Sequence, residues 1–280
     1  MATRTALVAW LSRSCIISCM ALVLPPASFG TLVRSPLELV VCQVRHDERP
    51  VSVDTVLAVQ EALGGSDGFF SRIENVERHT AALTIASGAM GSPAPEVVHG
   101  WHLKSADRGW TAALLPEQFS LETTRYTNWG EFHSRLRALI EAIEKIDVPS
   151  LEQRIGLRYV DRLVGLPVTA AVDWARWISA PILGAPLHDV VGPAVRSVRQ
   201  QVEFDLEGDT VCALRHGLAT EPDGDAVYVL DFDMYREKAQ RFSGKALLGA
   251  ANQFHQQADA LFQQVITDDL LTYLSGQRDD

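Results

Sequence analysis

Short stretches that alternate apolar and polar residues, separated by turn signals, make up most of this chain. The stretch 37–45 is rich in β-branched residues and lies between two prolines, which predicts a strand. Asp54 is placed to cap a short helix that ends at Leu63. Residues 64–96 are rich in Gly, Ser, Ala and Pro, so they predict a connection made largely of loop.

Two longer stretches carry apolar residues at helical spacing, and each follows three predicted strands. The first set of strands lies at 97–104, 110–115 and 119–126. Asn128 is placed to cap the helix after them, with Glu131 at the capping-box position. The apolar face of this helix consists of Phe132, Leu136, Leu139, Ile140, Ile143 and Ile146.

The second set repeats this order of elements after a strand at 155–163. A proline-rich connection, 166–196, contains a short predicted helix at 174–178. Three strands follow at 198–206, 210–216 and 226–235. The second long helix carries Leu247, Ala251, Phe254, Ala258, Leu261, Phe262, Val265 and Ile266 on one face, and Thr267 is placed to cap a last segment.

Three strands followed by a long amphipathic helix thus occur twice, at about 97–146 and 198–274. Tight turns between the strands require antiparallel pairing. An apolar helix face covers one side of such a sheet. We therefore predict an α+β fold in which one or more antiparallel sheets are covered by two long amphipathic helices. The prediction is a single domain, 24–280, with two similar halves.

The first 23 residues differ from the rest. Arg4 and Arg13 are accompanied by the apolar run 14–24, which mimics a secretory signal but is shorter than a membrane span. The alternative is that translation starts downstream, at Met20, which would make residues 1–23 a leader or a wrongly assigned start. We expect a cytoplasmic protein; export is the alternative if residues 1–30 act as a signal peptide.

Composition narrows the possible partners. The 280 residues include 35 acidic and 25 basic side chains, a formal net charge of −10. This excess opposes binding to phosphate, so no nucleic-acid partner is expected. Cys42 and Cys212 lie in separate predicted strands, which favours a role as small core residues in a reducing compartment. No motif for a metal ion, a cofactor or a catalytic group is recognised, and no membrane span is expected.

Candidate binding chemistry is concentrated in the strand at 155–163. Side chains alternate between the two faces of a strand. Arg158 and Arg162 therefore share one face, and Tyr159 and Asp161 share the other. All four are candidate binding residues.

A second pair of candidates, Asp231 and Asp233, shares one face of the strand at 226–235. We expect Arg158 and Arg162 to meet these carboxylates across the sheet or to present an anion site, since guanidinium groups bind carboxylate and phosphate with two hydrogen bonds. The alternative is a structural ion pair or a solvated charged face. Two carboxylates are too few to indicate a metal site.

The segment Arg158-Tyr159-Val160-Asp161-Arg162 resembles the Arg-Tyr-x-Asn-Arg hallmark of a sporadically distributed, uncharacterised bacterial family of similar length. Asp161 stands where that family usually has Asn. Further similar segments are 35–45, 119–126 through Trp129 and Phe132, 230–233, and His255 with Phe262, Ile266, Thr267 and Leu270. The resemblance covers roughly 24–275 and implies no activity, cofactor or catalytic residue.

Three functions remain open. The acidic balance and the sporadic family favour a non-enzymatic protein that binds or regulates another protein, for example as an antitoxin-like component. The first alternative is a small-ligand binder with an apolar pocket between sheet and helices. The second is an enzyme of unfamiliar type that uses an Asp/Arg/Tyr cluster. Another protein is therefore the first expected partner and a small molecule the second.

Overall fold

The computed structural model describes residues 20–80, 96–221 and 224–277. They form an α+β fold with one antiparallel sheet, which confirms the predicted class. The strands are β1 (Leu37–His46), β2 (Arg72–Thr80), β3 (Glu96–Lys104), β4 (Trp110–Leu115), β5 (Gln118–Thr123), β6 (Leu151–Leu163), β7 (Gln200–Leu206), β8 (Thr210–Thr220) and β9 (Ala226–Arg241). The helices are α1 (Val53–Ala62), α2 (Trp129–Ile146), α3 (Ala180–Leu183), α4 (Gly244–Val265) and α5 (Asp268–Leu274).

The strands lie in the order β2-β3-β4-β5-β1-β6-β9-β8-β7, so β1 and β6 form the centre of the sheet. Val40 of β1 lies opposite Tyr159 of β6, and Cys42 lies opposite Leu157. Strands joined by tight turns flank this pair, β5 to β3 on one side and β9 to β7 on the other. The two central strands are therefore held by neighbours on both edges.

One face of the sheet is covered by α2 and α4, and we call the other face the open face. α4 packs on β6 and β9 as well as on α2. The buried residues of α2 are Phe132, Leu136, Leu139, Ile140, Ala142 and Ile143. Those of α4 include Leu247, Ala251, Phe254, Ala258, Leu261, Phe262 and Val265. The main core therefore lies between this face and the helices.

The two described cysteines belong to this core. Cys42 of β1 and Cys212 of β8 are buried and carry free thiols. Burial raises the pKa of both thiols, which keeps them protonated and unreactive. Their predicted role as small core residues is confirmed.

Helix caps decide where α1 and α2 begin. The backbone N–H of Glu131 donates to the Asn128 side chain at 2.9 Å, as predicted. The predicted cap of α1 is wrong, because the N–H of Thr55 donates to the Ser52 hydroxyl at 3.1 Å. Asp54 lies in the first turn instead, where its negative charge suits the helix dipole.

The loop predicted over 64–96 is wrong in part, because it contains β2. This edge strand pairs with β3 along its whole length, beginning with Arg72 opposite Lys104. Ile73 and Val76 are its only large apolar residues. Polar side chains are common on edge strands. The sequence of β2 therefore has no hydrophobic pattern from which its pairing could be predicted.

The proline-rich connection also differs from its prediction. The helix expected at 174–178 is a 3₁₀ helix at Ala171–Arg176. Pro181, Pro186 and Pro193 each lie in the first turn of a further short helix. Proline suits the first turn because it lacks an N–H and has a fixed φ, so the connection is a series of short turns.

Residues 20–36 run across the edge of the molecule, and we call them the N-terminal strap. The Leu22 N–H donates to the Asp205 carbonyl of β7 at 2.8 Å. The Ser28 N–H donates to the Gln263 side chain of α4 at 2.7 Å. The strap therefore spans from the edge strand to the helix layer.

Several sequence predictions fall outside the described residues. The predicted leader, 1–23, is described only from residue 20 onward. Residues 81–95 of the predicted connection and residues 222–223 of a predicted turn also lie outside.

Candidate functional site

The candidate residues of β6 lie on opposite faces of the sheet. Tyr159 and Asp161 face the helices and are only 5% and 4% exposed. Arg158 and Arg162 project from the open face, and their side chains are 44% and 34% exposed. The six candidates therefore divide into two separate environments.

On the open face, Arg158 binds Asp231 with two hydrogen bonds. Arg158 Nε lies 2.7 Å from Oδ1 of Asp231, and Nη2 lies 2.8 Å from Oδ2. Asp231 of β9 is directly opposite Val160 of β6. Arg158 therefore reaches Asp231 diagonally between these two adjacent strands. The carboxylate raises the pKa of Arg158 further and fixes its charge.

The other two candidates on this face have different partners from those predicted. Arg162 donates to Glu221, just beyond β8, at 2.6 Å. Asp233 accepts from Arg154, with both carboxylate oxygens at 3.1 Å. Gly156 permits this contact, because a Cβ there would lie 2.6 Å from Arg154 Nη1. Arg154 can therefore lie flat along the strand.

A third arginine joins the two aspartates. Arg215 of β8 lies 3.5 Å from Asp231 and 4.0 Å from Asp233. Each carboxylate thus faces more than one guanidinium group. This geometry favours the structural ion-pair alternative over an anion site.

The helix-covered face contains a cavity of about 310 Å³, which we call the Asp161 pocket. Its walls come from the N-terminal strap, β6, β9, α4 and the segment that leads into α2. The aromatic lining residues are Phe29, Tyr126, Trp129, Tyr159, Phe232, His255 and Phe262. The acidic residues of the lining are Asp161 and Asp259. The described lining residues include no lysine or arginine.

A polar relay crosses the pocket from β6 to α4. The Tyr159 hydroxyl lies 3.0 Å from Nδ1 of His255, and Nε2 of His255 lies 3.5 Å from Asp259. The ring of Trp129 stacks on His255, with 4.4 Å between centroids and 18° between planes. Stacking and hydrogen bonding together fix the orientation of the imidazole.

His255 is neutral at physiological pH. Burial, followed by the nearby charge of His133, lowers the pKa of His255 to about 4. We assign the ring proton to Nε2, which faces Asp259, so that Nδ1 accepts from the Tyr159 hydroxyl. The contact between His255 and Asp259 is then a polar contact rather than an ion pair.

Asp161 is the exceptional residue of the pocket. Its side chain has no hydrogen bond or ion pair with the described residues, although only 4% of the residue is exposed. Burial, and then the charge of Asp259, raises the pKa of Asp161 to about 8. Burial raises the pKa of Asp259 to about 6. At neutral pH, Asp161 therefore holds a proton and Asp259 is mostly ionised.

Tyr126 extends the relay on the side of α2. Its ring is perpendicular to that of Tyr159, with 6.1 Å between centroids. Burial is the main reason that the pKa of each phenol is raised. Both hydroxyls therefore keep their protons, and that of Tyr159 is donated to His255.

The N-terminal strap closes one side of the pocket. Phe29 meets Phe262 of α4 edge to face, with 5.9 Å between ring centroids. The Gln263 amide donates to the Ser28 hydroxyl at 2.8 Å, beside this contact. The strap therefore makes the cavity a pocket rather than an open groove.

Sequence reasoning missed the roles of His255 and Asp259. His255 appeared only as part of the family resemblance. The two residues are four positions apart on α4, so they lie on the same side of the helix. This side borders the apolar stripe through Ala258 and Phe262, and polar residues at that border were the available signal.

Comparisons with known proteins add no relative. Neither the protein-family models, nor the curated proteins, nor the solved structures contain a match to this chain. Within the described ranges, no helix combines the length and apolar character needed to cross a membrane. The family resemblance and the cytoplasmic location therefore stay predictions.

Proposed function

We propose that this protein binds a small organic molecule in the Asp161 pocket. The observation that carries the proposal is the buried Asp161 carboxyl group, which faces the cavity and has no partner among residues 20–80, 96–221 and 224–277. Buried polar groups in folded proteins generally have a hydrogen-bond partner. Because Asp161 borders the cavity, a ligand bound there can provide the partner that the described residues do not.

Size and lining support this proposal. The cavity of about 310 Å³ is at the lower end of the volumes typical of small-molecule sites. Aromatic walls with a few convergent polar groups are the usual composition of such sites. A ligand with a single ring or a short aliphatic body fits this volume.

The pocket lies beside the contact between the long helices of the two predicted halves. Trp129 starts the long helix of the half at about 97–146, and His255 lies in that of the half at 198–274. Their stacked rings join α2 to α4 beside the cavity. We propose that the two helices are the amphipathic covers of two similar halves and that the ligand binds where the halves meet.

The other functions remain predictions. Recognition of another protein, including antitoxin-like regulation, is supported by the acidic composition alone. An enzyme built on an Asp/Arg/Tyr cluster has less support, because the arginines and the Tyr159–Asp161 pair lie on opposite faces of the sheet.

Nuclear magnetic resonance of the full chain tests the proposal. Phenethylamine, phenethyl alcohol and phenylacetate are added separately as probes that share one aromatic body. Binding of at least one probe should shift the Trp129 indole signal and the amide signals of α4 around His255. The Trp129 indole N–H, which donates to the Asn252 side chain with 3.1 Å between Nε1 and Oδ1, serves as the reporter once its signal is assigned.

Two matched variants locate the binding. Ala258→Leu places a larger side chain in the lining of the pocket, and Ala246→Leu makes the same change at an exposed position of α4. We expect Ala258→Leu to weaken binding at least tenfold and Ala246→Leu to leave it unchanged. The proposal fails if no probe binds, or if both variants bind as the unmodified protein does.

A further inference from the structure

Among the described residues, the charged groups that line the Asp161 pocket are all acidic. Asp161 and Asp259 enter the lining from β6 and α4, and no lysine or arginine of the described residues lines it. Building on the proposed function, we propose that the ligand is an organic cation, a protonated amine carried on an apolar body. Asp161, which has no partner among the described residues, is its direct counter-ion.

The rest of the pocket suits an ammonium group. Aromatic faces attract cations within about 6 Å of the ring centroid, and Phe232 is among the aromatic side chains that border the cavity. An ammonium group has three N–H donors, and each needs an oxygen that accepts its hydrogen bond. The carboxyl oxygens of Asp161 and Asp259 provide such acceptors, while Phe29 and Phe262 contact the apolar body.

A metal ion is a poorer occupant. Hard divalent cations in proteins take six or more oxygen ligands in total. Among residues 20–80, 96–221 and 224–277, no group of three or more His, Cys, Asp or Glu could hold a metal ion. The aromatic lining would leave a dehydrated metal ion without ligands, whereas it favours the apolar part of an amine.

An anionic ligand is disfavoured by Asp259. A protonated Asp161 could donate a hydrogen bond to a carboxylate, but the ionised Asp259 would repel that carboxylate in the same cavity. The net charge of the chain, −10, also favours the approach of cations over anions.

Binding of a cation should release a proton. The titratable groups that face Asp161 or its neighbours are Asp259, His255, Tyr159, Tyr126, His133 and Cys42. Tyr159, Tyr126 and Cys42 are protonated and neutral at pH 7, and His255 is neutral as well. Asp161 is therefore the group that ionises when a positive charge enters the pocket.

Isothermal titration calorimetry with the three probes tests the charge of the ligand. At pH 7, phenethylamine should bind at least tenfold more tightly than phenethyl alcohol, and phenylacetate should bind most weakly. Repeating the phenethylamine titration in buffers of different ionisation enthalpy should show a release of close to one proton. The alcohol should release none.

Substitutions assign the effect to the pocket. Asp161→Asn should reduce the preference for amine over alcohol at least tenfold and abolish proton release. Asp259→Asn, at a partly exposed position, tests the same charge if Asp161→Asn does not fold. Asp205→Asn, which removes an exposed charge on β7, should leave the preference unchanged.

The outcomes separate the two proposals. If the alcohol or phenylacetate binds as tightly as the amine, the cation proposal is wrong and the pocket remains a ligand site. If the preference survives Asp161→Asn, or survives Asp259→Asn where Asp161→Asn does not fold, the cation proposal is also wrong. If none of the probes binds, both proposals are overturned.

Discussion

The two faces of β6 carry acidic chemistry of opposite kinds. Beside the open face, the Asp231 carboxylate is held by two hydrogen bonds from Arg158 and lies near Arg215. On the covered face, the Asp161 carboxyl group has no partner among the described residues. Asp231 is charged and paired, and Asp161 is neutral and unpaired, although the exposure of both residues is below a tenth.

This difference shows how pairing separates a structural carboxylate from a candidate binding group. A bidentate arginine satisfies both oxygens of Asp231, and the half-exposed guanidinium keeps its contact with water. No residue in the described part of the chain stabilises the ionised form of Asp161 in this way. A buried carboxyl group without a partner among the described residues is therefore the better guide to a ligand site than the more conspicuous cluster of charges.

The largest expected effect concerns the pH dependence of stability. The pKa of Asp161 is about 8 in the folded chain against an ordinary 3.8, so the folded state binds the proton more tightly. The free energy of unfolding should fall as pH rises from about 4 to 8. At 1.36 kcal/mol per unit, the part between pH 5 and pH 8 is roughly 4 kcal/mol.

Urea denaturation of the unmodified protein and of Asp161→Asn at these two pH values measures this effect. The variant cannot ionise at position 161 and should lose much less stability over the interval. Asp259, with its own raised pKa, is present in both proteins and so cancels in the difference. Parallel stability curves for the two proteins would contradict the account of Asp161.

A smaller effect is expected from Asp231→Asn. The substitution removes the charge that pairs with Arg158 and Arg215, and hydrogen bonds to charged groups contribute about 1.5–3 kcal/mol. Because Arg158 is half-exposed, its freed guanidinium can be hydrated, so we expect a loss of about 2 kcal/mol. Urea denaturation at pH 7 measures it. Binding of phenethylamine should change less than twofold, since the pocket is on the other face.

The smallest effect is expected from Arg162→Ala. Both Arg162 and Glu221 are about one-third exposed, so solvent screens their interaction. Ion pairs of this kind contribute about 0.2–1 kcal/mol. A thermal melt should shift by a few degrees at most. A loss of stability as large as that of Asp231→Asn would show that the open face is one coupled network.

The sequence predicted the parts of this molecule that depend on local periodicity. Alternation along β6 separated Arg158 from Tyr159, and Asn128 marked the start of α2. β2 was not predicted because an edge strand needs no apolar stripe. The pocket was not predicted because it depends on contacts between distant segments. Asp259 and Asp161 are 98 positions apart, and only the packing of α4 on β6 places both in one cavity.

The alternation of side chains along β6 has a consequence for how this chain can change over time. A single-residue insertion or deletion inside the strand exchanges its faces, because side chains repeat every two residues. Arginines would then enter the hydrophobic interior while Tyr159 or Asp161 moved to solvent. Point substitutions can alter either face alone, but length changes in this strand alter both at once. We therefore expect functional variants to differ in length at its connecting loops and to keep the strand itself constant.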